Sequence, residues 1–425
     1  MVCFSENISK YSSFRLLLFI VIVFSLSGTG IPSQERYLKY YIDFAVSTNP
    51  VIHENSMLMQ TYRIRKGLVD ASLYRPHIFG TLNYLFSPTF NGYGYDSAVT
   101  NGGLYSAMIN LEYPLFTGSS ADTKYEEITN DQKGYSNAIV QTKHEIEKNI
   151  TDQYLKAYQD QEKIQLTGEI LDILAKQKDV LRILANKSVG KISDISLLDI
   201  EYQTQVLNKN KLQITFESDL MDLNVSAGIH DTSLVTLSDP VLTLSDTSRT
   251  YSNFLESYKL DSLKLITEQK NIELNYKPQI SFFVNGGLNA VTYIDMYKKF
   301  GFSTGLNITF NLYDGNQLSA NNYLTKIRQD IISSQKSYFI SQNEMRKRNI
   351  KSEIRNQDIL LTGLDKQNEN YKVLLELYRN QFYAGEISLI DYINVLKNYI
   401  GFRDEFIQNR NQYYSLINEF NYWNW

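Results

Sequence analysis

The sequence predicts an α+β chain, built as an internal duplication, in which very long polar helices alternate with two pairs of strands of membrane-crossing type. Three observations predict it: proline-free stretches with coiled-coil spacing, four segments that alternate at period 2, and a repeated order of elements. Across the 425 residues the net charge is -4, and 13% of residues are aromatic, with 32 Tyr. Mean hydropathy is nonetheless −0.31. That balance speaks against a nucleic-acid binder, which carries a basic face. Many aromatics in a polar chain suit a surface that meets lipid only in part. One Cys and four His leave no disulfide framework and no cysteine-based zinc site.

At the N-terminus, Lys10 and Arg15 precede an apolar run from Leu16 to Leu26, followed by Ser27, Gly28 and Gly30. A basic flank, a short apolar run and a small-residue exit predict a signal peptide over 1–30 and an exported chain. The mature protein then begins a first repeat, 31–228, whose opening helix ends at Pro76. Strands follow over about 77–91 and 103–116. In the first, Ile78, Gly80, Leu82, Tyr84 and Phe86 face one way, with Thr81 and Asn83 on the other. In the second, Tyr105, Ala107, Ile109, Leu111 and Tyr113 oppose Ser106, Asn110 and Glu112. Alternation at period 2 gives each strand one apolar and one polar face.

Two long stretches, 115–239 and 279–425, hold no proline. An interior proline costs a helix about 3 kcal/mol, so both stretches are free to hold very long helices. Over about 119–187 the apolar positions Ile139, Ile146, Ile150, Ala157, Ile164, Leu171, Leu174, Leu181 and Ala185 step by sevens, fours and a three, a coiled-coil seam. A second helix is expected over about 193–228, and the polar stretch 229–251 reads as a linker. The second repeat, 252–425, follows the same order. After a helix ending at Pro278 come strands over about 279–293 and 300–313, a long helix over about 316–383, and a last helix over about 389–420. Its strands set Ile280, Phe282, Val284 and Leu288, then Phe300, Phe302, Leu306 and Ile308, against Ser281, Asn285, Ser303 and Asn307.

The repetition is explicit in short motifs. Pro114-Leu115-Phe116-Thr117-Gly118 corresponds to Asn311-Leu312-Tyr313-Asp314-Gly315, and Gly190-Lys191-Ile192-Ser193 to Gly385-Glu386-Ile387-Ser388. Four strands cannot close a barrel, for which about eight is the working minimum. An open edge in lipid leaves backbone groups unpaired at several kcal/mol each. Membrane-inserted strands of this chain therefore require several copies arranged symmetrically.

Taken in order, these motifs resemble the TolC family of outer-membrane efflux proteins, the outer membrane factors. The likeness covers Ile42-Asp43-Phe44-Ala45…Asn49-Pro50, both helix-to-strand prolines and the strand exits. It is most specific in Tyr383-Ala384-Gly385-Glu386-Ile387-Ser388, which is similar to that family's Tyr-x-x-Gly-x-x-Ser pattern with the aromatic one place nearer the Gly. The resemblance implies a homotrimer, with a long α-helical coiled-coil barrel continuous with a 12-stranded transmembrane β-barrel, four strands per protomer. It implies an outer-membrane exit duct extending into the periplasm of a Gram-negative bacterium. Cargo would pass from a periplasmic adaptor (membrane fusion) protein and an inner-membrane RND or ABC-type transporter, in efflux or type I secretion. It places Gly190, Ser193, Gly385 and Ser388 at periplasmic-tip turns that meet the adaptor. It also places Asp391, Asn394, Ser196 and Asp199 at a tunnel constriction. The basic residue that some members carry two after the Gly is replaced by Ile192 and Ile387.

Catalytic patterns are few. His53, His77, His144 and His230 are scattered, without a second ligand-type residue at metal spacing. Gly92-Tyr93-Gly94 lacks the third Gly and following helix of a phosphate cradle. Glu126-Glu127 and Asp152 read as solvated helix faces. The expectation is a protein that is not an enzyme and takes no cofactor. The rival from another class is a periplasmic coiled-coil scaffold without a pore.

Overall fold

The structure is a computed structural model that describes residues 35–88, 90–94, 103–116, 119–186, 192–246, 252–291 and 293–425. The expected signal peptide, Gly118 and Gly190 lie outside the described residues. After β1 (Glu35–Arg36), where one helix was expected, the chain forms three: α1 (Leu38–Thr48), α2 (Pro50–Gln60) and α3 (Tyr62–Tyr74). The first break has a local cause. Asn49 is extended and its side chain accepts from the Val51 and Ile52 N–H groups, while Pro50 occupies the first helical position, where its missing N–H costs nothing.

Next come β2 (His77–Phe86), β3 (Gly103–Phe116) and two helices, α4 (Ser120–Asn186) and α5 (Ile192–Ala227). The second half has α6 (Leu255–Leu274), β5 (Gln279–Ala290), β6 (Phe300–Thr309), α7 (Gln317–Ala384) and α8 (Leu389–Trp423). Helices α4 and α7 run 67 and 68 residues, about 100 Å each at 1.5 Å per residue. Each starts just after a non-glycine residue in the left-handed region, Ser119 at φ 70° and Asn316 at φ 66°. That shared strain marks the duplication at the level of the backbone. Before α7, the Asp314 carboxylate accepts from the Asn316 and Leu318 N–H groups, satisfying helix-start donors.

Segment 229–251, expected as a polar linker, is partly built in. Its β4 (Thr236–Leu237) pairs in parallel with β1, and Ile229, Val235 and Leu237 are buried. Gln161 of α4 holds Leu237 by both backbone groups at 2.7 Å. The buried Tyr154 hydroxyl donates to the Ser238 carbonyl at 2.6 Å, with the Arg36 carbonyl at 3.1 Å. Arg36 pairs with Asp231. The result is a belt at mid-height of α4, packed on Tyr41, Ala45, Ile150, Tyr154 and Leu223. Close by, Asp160 of α4 stands beside Asp219 of α5, a buried carboxylate that takes Lys156 at 2.8 Å. Burial, then the neighbouring Asp219 carboxylate, push the Asp160 carboxyl up to about 7.

A second core lies toward the far end of the helices, where Ile170, Leu174 and Leu181 of α4 meet Leu198, Phe382, Tyr392 and Leu396. Helix α4 packs against α5, α6, α8 and the α1–α3 segment, whereas α7 packs against α6 and α8. The helix order on the side away from the strands is therefore α5-α4-α8-α7, and on the strand side α3-α4-α6-α7.

Candidate functional site

The four long strands make one antiparallel sheet in the order β2-β3-β5-β6. Register aligns the apolar positions of all four. Ile78 lies opposite Leu111, which lies opposite Val284; Leu82 aligns with Ala107, Leu288 and Phe300; Phe282 aligns with Leu306. This face is uncovered: Leu82 is 84% exposed and Phe302 82%. The other face carries Thr81, Asn83, Ser106, Asn110, Glu112, Ser281, Asn285, Ser303 and Asn307. Phe79 and Phe283 depart from the alternation there, and the Phe283 ring fills the space over Gly305, where a Cβ would stand 2.7 Å from it.

The strands are shorter than the alternation suggested: β2 and β5 stop at Phe86 and Ala290 on the loop side, and β6 stops at Thr309 on the helix side. After Phe86 the chain meets Pro88, which has no N–H to offer a ladder. A separate tight turn follows, with Phe90 and Tyr93 exchanging both backbone bonds at 2.9 Å. Its central Asn91 and Gly92 have φ 49° and 83°, the double positive φ of a type I′ turn. At the helix end, Pro76 and Pro278 sit between helix and strand. Arg75 before Pro76 is extended at ψ 146°, the region to which a following proline restricts it. In β3 the register slips between Pro114 and Phe116, a bulge that accommodates the proline.

Two strands, β2 and β6, have a neighbour on one side only. The helical layers end on the same two sides. Helix α7 follows β6 and α3 precedes β2, while α5 closes the far end opposite α7. Both α5 and α7 leave an apolar stripe in water. In α5 it is Ile200, Leu207, Ile214, Met221 and Val225; in α7 it is Leu324, Ile331, Tyr338, Met345, Ile359 and Val373. The steps are sevens, or fourteen where Ser352 and Lys366 interrupt the α7 stripe, with a final four in α5. This is the spacing of a coiled-coil seam.

At the α7–α8 turn, Gly385 adopts φ 77°. Its N–H bonds to the Phe382 carbonyl at 3.1 Å and that of Glu386 to the Gln381 carbonyl at 2.9 Å, the paired bonds of a Schellman ending. Ser388 caps α8: its Oγ accepts from the Asp391 N–H at 3.2 Å, and the Ser388 N–H donates to Asp391 Oδ2 at 3.1 Å. The Ser388 hydroxyl also donates to Asp391 Oδ2 at 2.6 Å, and this bond, then that from the Ser388 N–H, holds the Asp391 carboxyl below its usual range. Asp391 and Asn394 are exposed on one face of α8.

The matching turn of the first half differs. Helix α5 begins at Ile192, ahead of Ser193, so Ser193 lies inside the first turn. The box is missing because position 196 is Ser, whose hydroxyl turns back to the Ile192 carbonyl at 3.4 Å. Asp199 pairs with Lys178 of α4, so its charge is already matched. His144 stacks between Tyr422 and Trp425 at 4.9 and 4.2 Å, and burial lowers its pKa. Among the described residues no group of three His, Cys, Asp or Glu is placed to hold a metal. No described helix is long and apolar enough to cross a membrane.

No family model and no curated protein matches the sequence. Solved structures do match the fold. The outer membrane protein VceC of Vibrio cholerae superposes with a TM-score of 0.69 at 11% identity, covering 91% of this chain and 96% of that one. The CmeC outer membrane channel of Campylobacter jejuni gives 0.66 at 14%, covering 91% and 85%. The MtrE outer membrane channel of Neisseria gonorrhoeae, in its open state, gives 0.66 at 13%, covering 91% and 88%. The chain has the fold of the TolC-like outer-membrane factor channels.

Proposed function

We propose that this chain is the protomer of an outer-membrane exit duct of the TolC type. The observation that carries the reading is the coincidence of open edges. Sheet and helical layer both end on the same two sides, and the uncovered apolar face runs across all four strands. Because the strands alternate in direction and are even in number, β6 of one copy meets β2 of the next antiparallel. Copies can therefore be added without breaking the ladder until it closes. Three copies give 12 strands, above the minimum of about eight for a barrel, and four helices per level give a ring of twelve. The exposed heptad stripes of α5 and α7 then face each other between neighbours.

In this reading the apolar sheet face meets outer-membrane lipid, and the polar face lines a water-filled passage. The duct is passive: energy comes from an inner-membrane RND or ABC-type transporter through a periplasmic adaptor, in efflux or type I secretion. The turns at Gly385–Ser388 and Gly190–Ser193 form the tip that meets the adaptor. Asp391 and Asn394, with Ser196, face the tip opening, and because Asp199 is paired with Lys178, Asp391 is, among the described residues, the unpaired carboxylate of these four positions. The likeness to channel proteins supports a transport role over an enzymatic one.

The test is the mass of the detergent-extracted protein, by light scattering with detergent subtracted. Three protomer masses, recovered only from outer-membrane fractions, support the duct. A monomer or dimer released without detergent would replace it with a periplasmic scaffold.

A further inference from the structure

Within β2, β3, β5 and β6, Glu112 is the one Asp, Glu, Lys or Arg among the strand residues. It lies on the polar face, near the helix end of β3, with His77 as its cross-strand partner. Its side chain is exposed, and no cation lies within ion-pair distance among the described residues. The neighbouring imidazole is directed elsewhere, with Nε2 3.4 Å from the Ser72 carbonyl. A cavity of about 510 Å³ opens where sheet passes into helices, and Glu112, Lys124, Glu127, Asn271, Asn307 and Thr309 are among its lining residues. Glu127 there accepts from Asn271 at 2.9 Å. One lysine against two carboxylates leaves that lining negative by one charge per copy. Elsewhere this face of the strands carries neutral side chains, Ser, Thr, Asn and Gln with Phe79, Met108 and Phe283 among them.

Resting on the duct reading, we infer that Glu112 is a residue that sets ion preference: its carboxylates form the single fixed-charge ring of the strand wall and favour cations at the junction of strands and helices. A wall that is otherwise neutral lets one ring dominate the local potential, because rings of carboxylates set the sign of passing ions in cation channels and clefts lined by one sign concentrate the opposite one. Lys124 lines the same cavity and offsets part of the charge, so the two residues act in opposite directions.

The experiment is reversal potential in a KCl gradient across planar bilayers holding the full-length protein. Wild type is expected to prefer cations. Glu112→Gln, which keeps shape and hydrogen bonding, is expected to lower that preference measurably while conducting, with Asp391 at the tip keeping its own share. Glu112→Lys is expected to invert it, and Lys124→Gln to strengthen it. Assembly is checked for each variant by light scattering, and the isosteric Glu112→Gln decides even where the lysine variant fails to assemble. A conducting wild type whose reversal potential is unchanged in Glu112→Gln overturns the inference and leaves the duct standing. A correctly assembled wild type that conducts nothing overturns the duct reading itself.

Discussion

Replacing Ile359 by Ala separates a helix that faces water from one that faces a neighbour, because the sign of the effect differs. Ile359 sits in the α7 stripe and keeps 66% of its surface exposed in the single chain. If that surface stays in water, the substitution removes no contact between copies, and the better helix propensity of Ala favours α7 by a few tenths of a kcal/mol. If a second copy covers it, the missing two thirds of its burial is restored. Full burial of such a side chain is worth about 1.5–3 kcal/mol, so each interface loses about 1–2 kcal/mol, and three interfaces about 3–6 kcal/mol. The assay is thermal dissociation of the detergent-solubilised assembly, followed by light scattering or by band position on unheated and heated gels. The dissociation temperature is expected to fall clearly for Ile359→Ala, and likewise for Ile214→Ala on α5. A temperature equal to or above that of wild type would show that α7 presents its stripe to solvent, and the ring argument from heptads would fail.

Ser388→Ala removes the cap of α8 at a cost of about 1 kcal/mol, and faster hydrogen exchange at residues 389–392 should report it. Ser193→Ala should leave the start of α5 unchanged, since Ser193 does not cap. The Asp391 half of that box has a pH signature. Its folded pKa lies below the unfolded one, so its contribution is present above the ordinary carboxylate range, near 3.9, and is lost as pH falls through the folded value. The exchange difference between wild type and Asp391→Asn should accordingly shrink toward zero on acidification. Asp160 has the opposite sign. Its folded pKa is raised to about 7, so stability present at low pH is lost as pH rises through that value. Asp160→Asn should match wild type near pH 4, gain over it progressively up to about pH 7 and hold a constant advantage above, measured as unfolding temperature across that series.

The readable parts of this sequence are those in which a single environment repeats. Each strand has an uncovered apolar face on one side and a mainly polar one on the other, so Ile280, Phe282 and Val284 fall on every second position although Phe283 stands between the last two. The proline-free spans contain α4 and α7 for the same reason: nothing inside them breaks the ladder. Helix α4 reads less well because it has partners on several sides. Tyr154, Leu155, Leu166 and Ile170 are buried beside the seam positions Ile150, Ala157 and Leu174, a wider face than a heptad describes. Two signals were present and outweighed. Asn49-Pro50 is a helix-start pair, and it divides the opening helix. Val235 and Leu237 are apolar residues within a polar segment, and they mark the belt. The difference between the two tip turns rests on one position, Ser196 against Asp391, which decides whether a capping box exists. The open edges could be argued from strand number, but their alignment with the edges of the helical layer depends on packing that no local pattern encodes.

The belt also has a mechanical consequence. Helices α4 and α7 are struts of nearly equal length, crossing every level without a proline, while their shorter companions change near mid-height, where α5 ends at Ala227 and α8 at Trp423. Gly228 turns the chain there at φ 74°, so close to Thr48 that a Cβ would stand 2.6 Å from its Oγ1. A lever with a braced middle delivers torque unequally to its two arms. Above the brace α7 is reached from β6 through residues 310–316, where the Asp314 carboxylate holds the Asn316 and Leu318 N–H groups. The belt thus braces α4 at the level where its companions change, so a load applied at the Gly385 end meets that brace before it meets the strands.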